Sequence, residues 1–318
     1  WLFCPIPGSV TSAPGFLGIA RRDKCTTNLG DSRLILTAIV YEVIGKMNRE
    51  TIGLSDMRGL EEVTCARFSE EGWVTGSVHV PYEMELTLYV NQQELVTVLC
   101  TPTKLNCLVL GFLYNEGIIS GIEDVATMRV CEDESLADVR LKNPEQKLPT
   151  RRTLSTGCGG GAVFKTTGQE VDSELVVSPT EVLLLMREFL KPMELYRAGG
   201  GVHTSALADG KSLLVVAEDI GRHNTLDRIQ GECMLRGLST ADRLLLTTGR
   251  ISSEMVLKAA KMRVPVVVSL RTPTGRAVSL ACDLGITLVG RARGKHLSAY
   301  SHPERLGCPI AGEQACIP

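Results

Sequence analysis

The sequence predicts an α/β fold organised on a largely parallel sheet. Two observations predict it. Apolar runs at 213–217, 244–248, 264–270 and 286–289 alternate with helical stretches, the order expected when helices cover a sheet on its faces. The helical stretches also carry their own start and stop signals.

Taken in order, residues 31–47 suit a helix with Asp31 as cap and Leu34, Ile35, Ala38, Ile39 and Val43 on one face. From Val80 to Val90 the even positions are apolar, which predicts one strand with one buried face. Asn91 to Glu94 reads as a turn and Leu95 to Cys100 as the returning strand. A helix follows, with Thr101 as cap, Pro102 at its first position and Gly117 at its end. The stretch 132–149 is charged and reads as a solvated connection. Ser178-Pro179-Thr180-Glu181 is a capping box that buries Val182, Leu185, Met186 and Phe189. In the strand–helix rhythm beyond it, helices are expected over 223–235, 252–262 and 273–284, the last with Thr272 as cap, Pro273 first and Gly285 at its end.

Composition narrows the function classes. Lys+Arg 34 against Asp+Glu 36 gives a net charge of -2, which argues against a broad nucleic-acid-binding surface. The aromatic fraction of 4% argues against stacking platforms. No apolar run reaches the roughly 18–20 residues of a spanning helix. Residues 1–20 are apolar but interrupted by Pro5, Pro7 and Pro14, and lack a positive n-region, so a signal peptide is not expected. The 11 cysteines are scattered, with no C-x-x-C pair, so most are expected to be reduced and buried.

One cysteine differs. Cys158 stands in Ser155-Thr156-Gly157-Cys158-Gly159-Gly160-Gly161, preceded by Arg151 and Arg152. Bare backbone leaves its sulfur accessible, and amides and guanidinium groups favour the thiolate. The same segment also reads as a flexible linker holding an incidental thiol. A second concentration of chemistry follows the four strands. Their ends lead into Glu218-Asp219-Ile220-Gly221-Arg222-His223-Asn224, Thr248-Gly249-Arg250-Ile251-Ser252-Ser253, Arg271-Thr272-Pro273-Thr274-Gly275-Arg276, and Gly290-Arg291-Ala292-Arg293-Gly294-Lys295-His296. Ligands of open α/β sheets bind outside the carboxyl ends of the strands. Helix amides and arginine forks there suit phosphate. The combination predicts a pocket for a large, multiply anionic ligand of nucleotide type.

Three classes meet these features: a sulfur or acyl carrier acting through Cys158, a zinc hydrolase of the nucleoside-deaminase type, and a non-catalytic chaperone for a nucleotide-like cofactor. The zinc class needs His-x-Glu or Cys-x-Glu with Pro-Cys-x-x-Cys, and neither pattern is present.

The segments NQQELVTVLCTP, GFLYNEGII, STGCGGG, AEDIGRHNTLDRIQG, TTGRISSEMVLKAA, RTPTGRAVSLA and GITLVGRARGKHLSAYSHPERL occur in this order. Together they resemble the formate dehydrogenase accessory sulfurtransferase (FdhD) family over residues 64–307. The resemblance implies a cytidine-deaminase-like layered α/β domain with an added β-containing N-terminal region and no metal bound directly by the protein. It implies transfer of sulfane sulfur from a cysteine desulfurase, as a persulfide on Cys158, to the molybdenum (or tungsten) bis-guanine-dinucleotide cofactor of formate dehydrogenase, Mo-bis(molybdopterin guanine dinucleotide). Arg291, Ala292, Arg293, Gly294, Lys295 and His296 align with the stretch that binds the dinucleotide. Asp219, Gly221, Arg222, His223, Gly249, Arg250, Ser252, Thr272 and Thr274 are further pocket positions. Many family members have Cys-Gly-x-Cys in the hinge; Gly161 stands at the second cysteine here, so Cys158 alone carries sulfur. The implied organisation is an extension over 1–63, a β-hairpin and helix region over 64–150, a sulfur-transfer and cofactor domain over 151–307, and a tail over 308–318. A homodimer and a cytoplasmic location are also expected from the family.

Overall fold

The structure is a computed structural model that describes residues 57–148 and 168–309, together with the backbone of Arg152–Leu154 and Ala162–Phe164. All of these belong to one unit, Gly53–Pro318. The helix expected over 31–47 lies outside the described residues.

The described chain begins with an antiparallel ribbon, β1 (Leu60–Ser69) and β2 (Gly72–Pro81), in which Leu60 faces Pro81 and Ser69 faces Gly72. The single strand expected from Val80 to Val90 is broken after Pro81, which has no N–H for a ladder. The Tyr82 amide turns back instead and donates to the Gly59 carbonyl at 2.9 Å. β3 (Met84–Val90) then buries Met84, Leu86, Leu88 and Val90, as the alternation predicts. A two-residue turn at Asn91 and Gln92, with φ 49 and 70, leads to β4 (Gln93–Cys100).

Helix α1 (Leu105–Asn115) starts later than its sequence signals predict, from Lys104 in a left-handed conformation (φ 41). Thr101 and Pro102 are not its cap, because Thr101 is buried and its polar groups bind the loop after another strand. Gly117, at φ 73, ends the helix turn as expected. The supposed connection 132–149 holds a strand. β5 (Val125–Cys131) and β6 (Leu136–Leu141) extend the sheet in the order β4-β3-β6-β5. Ala137, Val139 and Leu141 of β6 are buried, while Asp138 and Arg140 between them pair at 3.2 Å. Those intervening charges hide the period of two. Short strands β7 (Arg152–Leu154) and β8 (Ala162–Phe164) pair antiparallel, with Leu154 opposite Ala162.

The capping box at Ser178 forms in full at the start of α2 (Pro179–Phe189). Next come α3 (Glu194–Gly199), β9 (His203–Ala208), β10 (Leu213–Asp219), α4 (Arg222–Arg236), β11 (Leu244–Thr247), α5 (Ser253–Lys261), β12 (Val266–Ser269), α6 (Gly275–Asp283), β13 (Thr287–Arg293) and β14 (His296–Ala299). The strand order is β10-β9-β11-β12-β13-β14. The expectation of a largely parallel sheet is corrected here. Only β11–β12 and β12–β13 are parallel pairs; β9 lies antiparallel between β10 and β11, and β14 antiparallel against β13. The four expected strands nevertheless run in one direction, since β10 and β11 each oppose β9.

Both faces of this sheet are covered. Leu245, Val267 and Leu288 face α4, α5 and α6 through Leu226, Ile229, Met255 and Ala277. Leu244, Leu246, Val266 and Val268 face α2 through Val182, Leu185 and Phe189. Each fully buried aliphatic side chain contributes about 2 kcal/mol. α6 begins at cap Thr274, whose hydroxyl accepts from the Ala277 amide, and not at Thr272-Pro273. Pro273 is held in a bridge with Ile251, which keeps it outside the helix.

The smaller sheet joins this body through α1 and α4, which cross at two glycines. A Cβ on Gly111 would overlap the Asp227 carbonyl, and one on Gly231 would overlap the Cys107 carbonyl. Only hydrogen at both positions allows the backbones to touch.

Candidate functional site

Because β10, β11, β12 and β13 share a direction, their carboxyl ends meet on one edge of the sheet. The first three lead directly into α4, α5 and α6, as the sequence predicts. The antiparallel strands contribute their first residues to the same edge, which brings in His203 and His296.

Asp219 ends β10 and is fully buried. It accepts from the amides of Thr101 (3.2 Å) and Gly221 (2.8 Å), from Asn224 Nδ2 (2.8 Å) and from Arg228 Nε (2.9 Å) and Nη2 (2.5 Å). Thr101 completes the knot, since its hydroxyl accepts from the Ile220 amide and its carbonyl from Arg228. Asp219 is therefore a positioning residue that shapes the turn into α4. Its carboxylate has no face left for a ligand.

The turn delivers Arg222 and His223. His223 Nε2 lies 3.0 Å from Glu254 Oε2 and 3.3 Å from Ser252 Oγ. Ser252 also caps α5. Burial pushes His223 below the ordinary imidazole value against the opposing pull of Glu254. The hydrogen bond from His223 holds Glu254 below the usual carboxylate value. Burial, then the Arg222 guanidinium and the His223 ring, also push His203 down. The inner wall is thus lined by two imidazoles biased toward the neutral form. Gly249 packs against Arg222 and His203: a Cβ there would come within 3.1 Å of Arg222 Cβ and 3.4 Å of His203 Nδ1.

The remaining loops are cross-tied. Ser269 Oγ donates to the Gly249 carbonyl at 2.6 Å and accepts from the Arg271 amide at 2.9 Å. The Arg291 amide donates to the Arg271 carbonyl at 3.2 Å. Gly290 is confined by that same carbonyl and by Tyr300, 2.7 and 2.9 Å from where a Cβ would sit. Arg250, Arg271 and Arg291 are exposed, so the rim presents solvent-facing guanidinium groups above a tied backbone.

The segment Arg291 to His296 forms a hairpin at the sheet margin, with Arg293 opposite His296 and Gly294-Lys295 as its turn. Arg291, Arg293, Lys295 and His296 are exposed, whereas Ala292 is buried in the α2-side core. Thr272 is half-buried and Thr274 is exposed at the α6 cap. Sequence reasoning missed His203 and Glu254. The Gly199-Gly200-Gly201 run ahead of His203, leading into an apolar stretch, is the signal that marks β9. Cys158 and its flanking glycines lie outside the described residues. Among the described residues no cluster of three or more His, Cys, Asp or Glu side chains is placed to hold a metal ion, and no helix is long and apolar enough to cross a membrane.

Two half-buried imidazoles biased toward the neutral form, with the buried Arg222 guanidinium beside them, lie below exposed guanidinium groups, an arrangement suited to an extended anion whose phosphates meet the arginines. The profile of the FdhD/NarQ family matches residues 81–307. The sulfur carrier protein FdhD of Bacillus subtilis (strain 168) is 39% identical over 232 residues, 70% of this chain and 88% of the relative. The protein of the same description from Staphylococcus aureus (strain MRSA252) is 37% identical over the same shares. A crystal structure described as that of a formate dehydrogenase accessory protein from Desulfotalea psychrophila superposes with a TM-score of 0.64 at 25% identity, covering 78% of this chain and 99% of that one.

Proposed function

Because the chain belongs to the FdhD/NarQ family, we propose that it is a sulfur carrier, loaded as a persulfide on Cys158, whose acceptor is the bis-guanine-dinucleotide molybdenum (or tungsten) cofactor of a formate dehydrogenase. The observation that carries this reading is the family match, which spans Cys158 and all four strand-end loops. The edge geometry supports it independently, since a dinucleotide needs several cationic contacts along its length.

The donor is the persulfide of a cysteine desulfurase. The Cys158 thiolate attacks its outer sulfur, the S–S bond of the donor breaks, and the desulfurase leaves as a thiolate. Cys158 then bears the outer sulfur; its delivery breaks the Cys158 S–S bond, leaves Cys158 as a thiolate and places sulfane sulfur on the bound acceptor, which supplies the two electrons that make it sulfide. With Gly161 in place of a second hinge cysteine, no disulfide within the hinge competes with this transfer. Arg291, Arg293, Lys295 and His296, with Arg250 and Arg271, take the phosphates of the acceptor. His203 and His223, biased toward the neutral form, leave Arg222 and the rim arginines as the sources of positive charge. The region 151–307 is then the working domain.

Intact mass spectrometry tests the loading. After incubation with a desulfurase and cysteine, the chain gains about 32 Da per sulfane sulfur, and Cys158→Ser does not. An equal gain on both proteins refutes the assignment. A chaperone without sulfur chemistry would keep full activity as Cys158→Ala and show no gain.

A further inference from the structure

A cavity of about 240 Å³ lies away from the strand-end rim, between the base of β1, the start of α1, the helix α3 and the outer strand β10. Pockets for drug-sized ligands hold roughly 300–1,000 Å³, so this one admits a small metabolite and excludes a dinucleotide. Leu60, Pro192, Leu195 and Val216 give it an apolar wall. Its polar lining falls into two groups of opposite charge.

The cationic group is Thr103, Lys104 and Arg228. The Arg228 side chain is only 2% exposed. Its Nε and Nη2 bind Asp219 and the Thr101 carbonyl, but its Nη1 has no partner among the described residues. A buried donor left unmet is costly and calls for an acceptor. Lys104 gives one of its three ammonium donors to Glu232, at 2.8 Å. The acidic group is Glu194 and Glu218, at the start of α3. Glu218 accepts from the amides of Leu195 (2.9 Å) and Tyr196 (3.2 Å) and from the Thr204 hydroxyl (3.1 Å). A carboxylate has about four acceptor positions, so one stays open. Glu194 is exposed beside the same helix start.

We propose that this cavity binds a free α-amino acid with an aliphatic side chain. Its carboxylate meets Arg228 and Lys104, its ammonium meets Glu218 and Glu194, and its side chain lies on the apolar wall. A simple anion is repelled by the acidic group and a simple cation by the other; a zwitterion satisfies both. The site also reaches the supports of the candidate site. Arg228 holds Asp219, which shapes the turn into His223, and α3 continues through Gly200 and Gly201 toward His203. The proposal is independent of the sulfur-carrier reading, because binding is measured without sulfur donor or acceptor.

Isothermal titration calorimetry on the full chain at neutral pH tests it, with L-valine, L-leucine and L-methionine as probes. At least one is expected to bind saturably at one per chain. Lys104→Met and Glu194→Gln each remove one charged partner and weaken that binding by about tenfold or more. Ala198→Trp fills the cavity from α3 and abolishes it. All three positions are exposed, and Glu232 keeps its pair with Arg236, so circular dichroism should show the variants folded. For leucine, the analogues 4-methylpentanoate and 3-methylbutylamine, each lacking one charge, bind at least about tenfold more weakly. No saturable heat from any of the three amino acids at millimolar concentration overturns the proposal. So does binding that survives Ala198→Trp, or a single-charge analogue that binds as tightly as leucine.

Discussion

Replacing Asp219 with alanine removes the centre of the buried knot at the end of β10. Five donors lose their acceptor at once: two backbone amides, Asn224 and two nitrogens of Arg228. The Arg228 side chain is only 2% exposed, so water does not replace the carboxylate. Breaking a buried ion pair from one side costs about 3–5 kcal/mol. For a unit of this size each kcal/mol lowers the melting temperature by about 2–4 °C, which gives a fall of about 6–20 °C. Urea unfolding followed by far-UV circular dichroism measures the loss directly. The exposed pair Arg129–Glu134, 68% and 56% exposed, is the control and should be silent when Glu134 is replaced by alanine. Asp219→Ala with Arg228→Met should recover part of the loss, because the orphaned charge is gone. A melt of Asp219→Ala within about 1 kcal/mol of wild type would refute the reasoning, since that is the size of an ordinary surface effect.

The two imidazoles make stability depend on pH. His203 and His223 are both held below 6.5, so the unfolded chain binds more protons as the medium becomes acid. Their contribution is whole above pH 6.5 and is lost as pH falls through the lower folded values; His223→Gln should flatten the slope of urea midpoint against pH just below 6.5. Glu254, itself held low, adds a loss only below 4.5, which separates the two effects on the pH axis. The thiols give a third measurement. Burial pushes Cys100 to about 12, Cys107 to about 11 and Cys233 to about 12. Iodoacetamide at about pH 8 should leave all three unmodified in the native protein and label them in urea; rapid native labelling of any one contradicts their burial.

Much of the larger sheet is legible because its four like-directed strands are apolar runs followed by capped helices. β11 and β12 are buried at every position, and such strands announce themselves by composition. What escapes notice has mixed composition. β6 alternates buried aliphatics with charges, and the charges dominate any average. β9 starts with His203 and continues through Thr204 and Ser205, which look like loop residues until Thr225 and Thr247 satisfy the Ser205 hydroxyl inside the core. Helix starts fail for a related reason. Thr101 and Thr272 have the right side chain for a cap, but Thr101 is claimed by Asp219 and Arg228, and Pro273 after Thr272 is claimed by Ile251. The strand-end loops were legible as a group because direction alone brings them to one edge. His203 was not, because a strand running the other way reaches that edge with its first residue.

That reversed strand also sets an order of assembly. β9 meets β10 across a short turn, but its partnership with β11 reaches across 42 residues, from Ser205 to Thr247. Loop closure makes the near pairing fast and the far one slow. The β9–β10 hairpin can form early as a local unit, yet it has only half its ladder until α4 has folded and β11 has arrived. The edge that gathers His203, Arg222 and Gly249 is therefore a late product of folding, and a newly made chain has its hydrophobic framework before it has a place to bind anything.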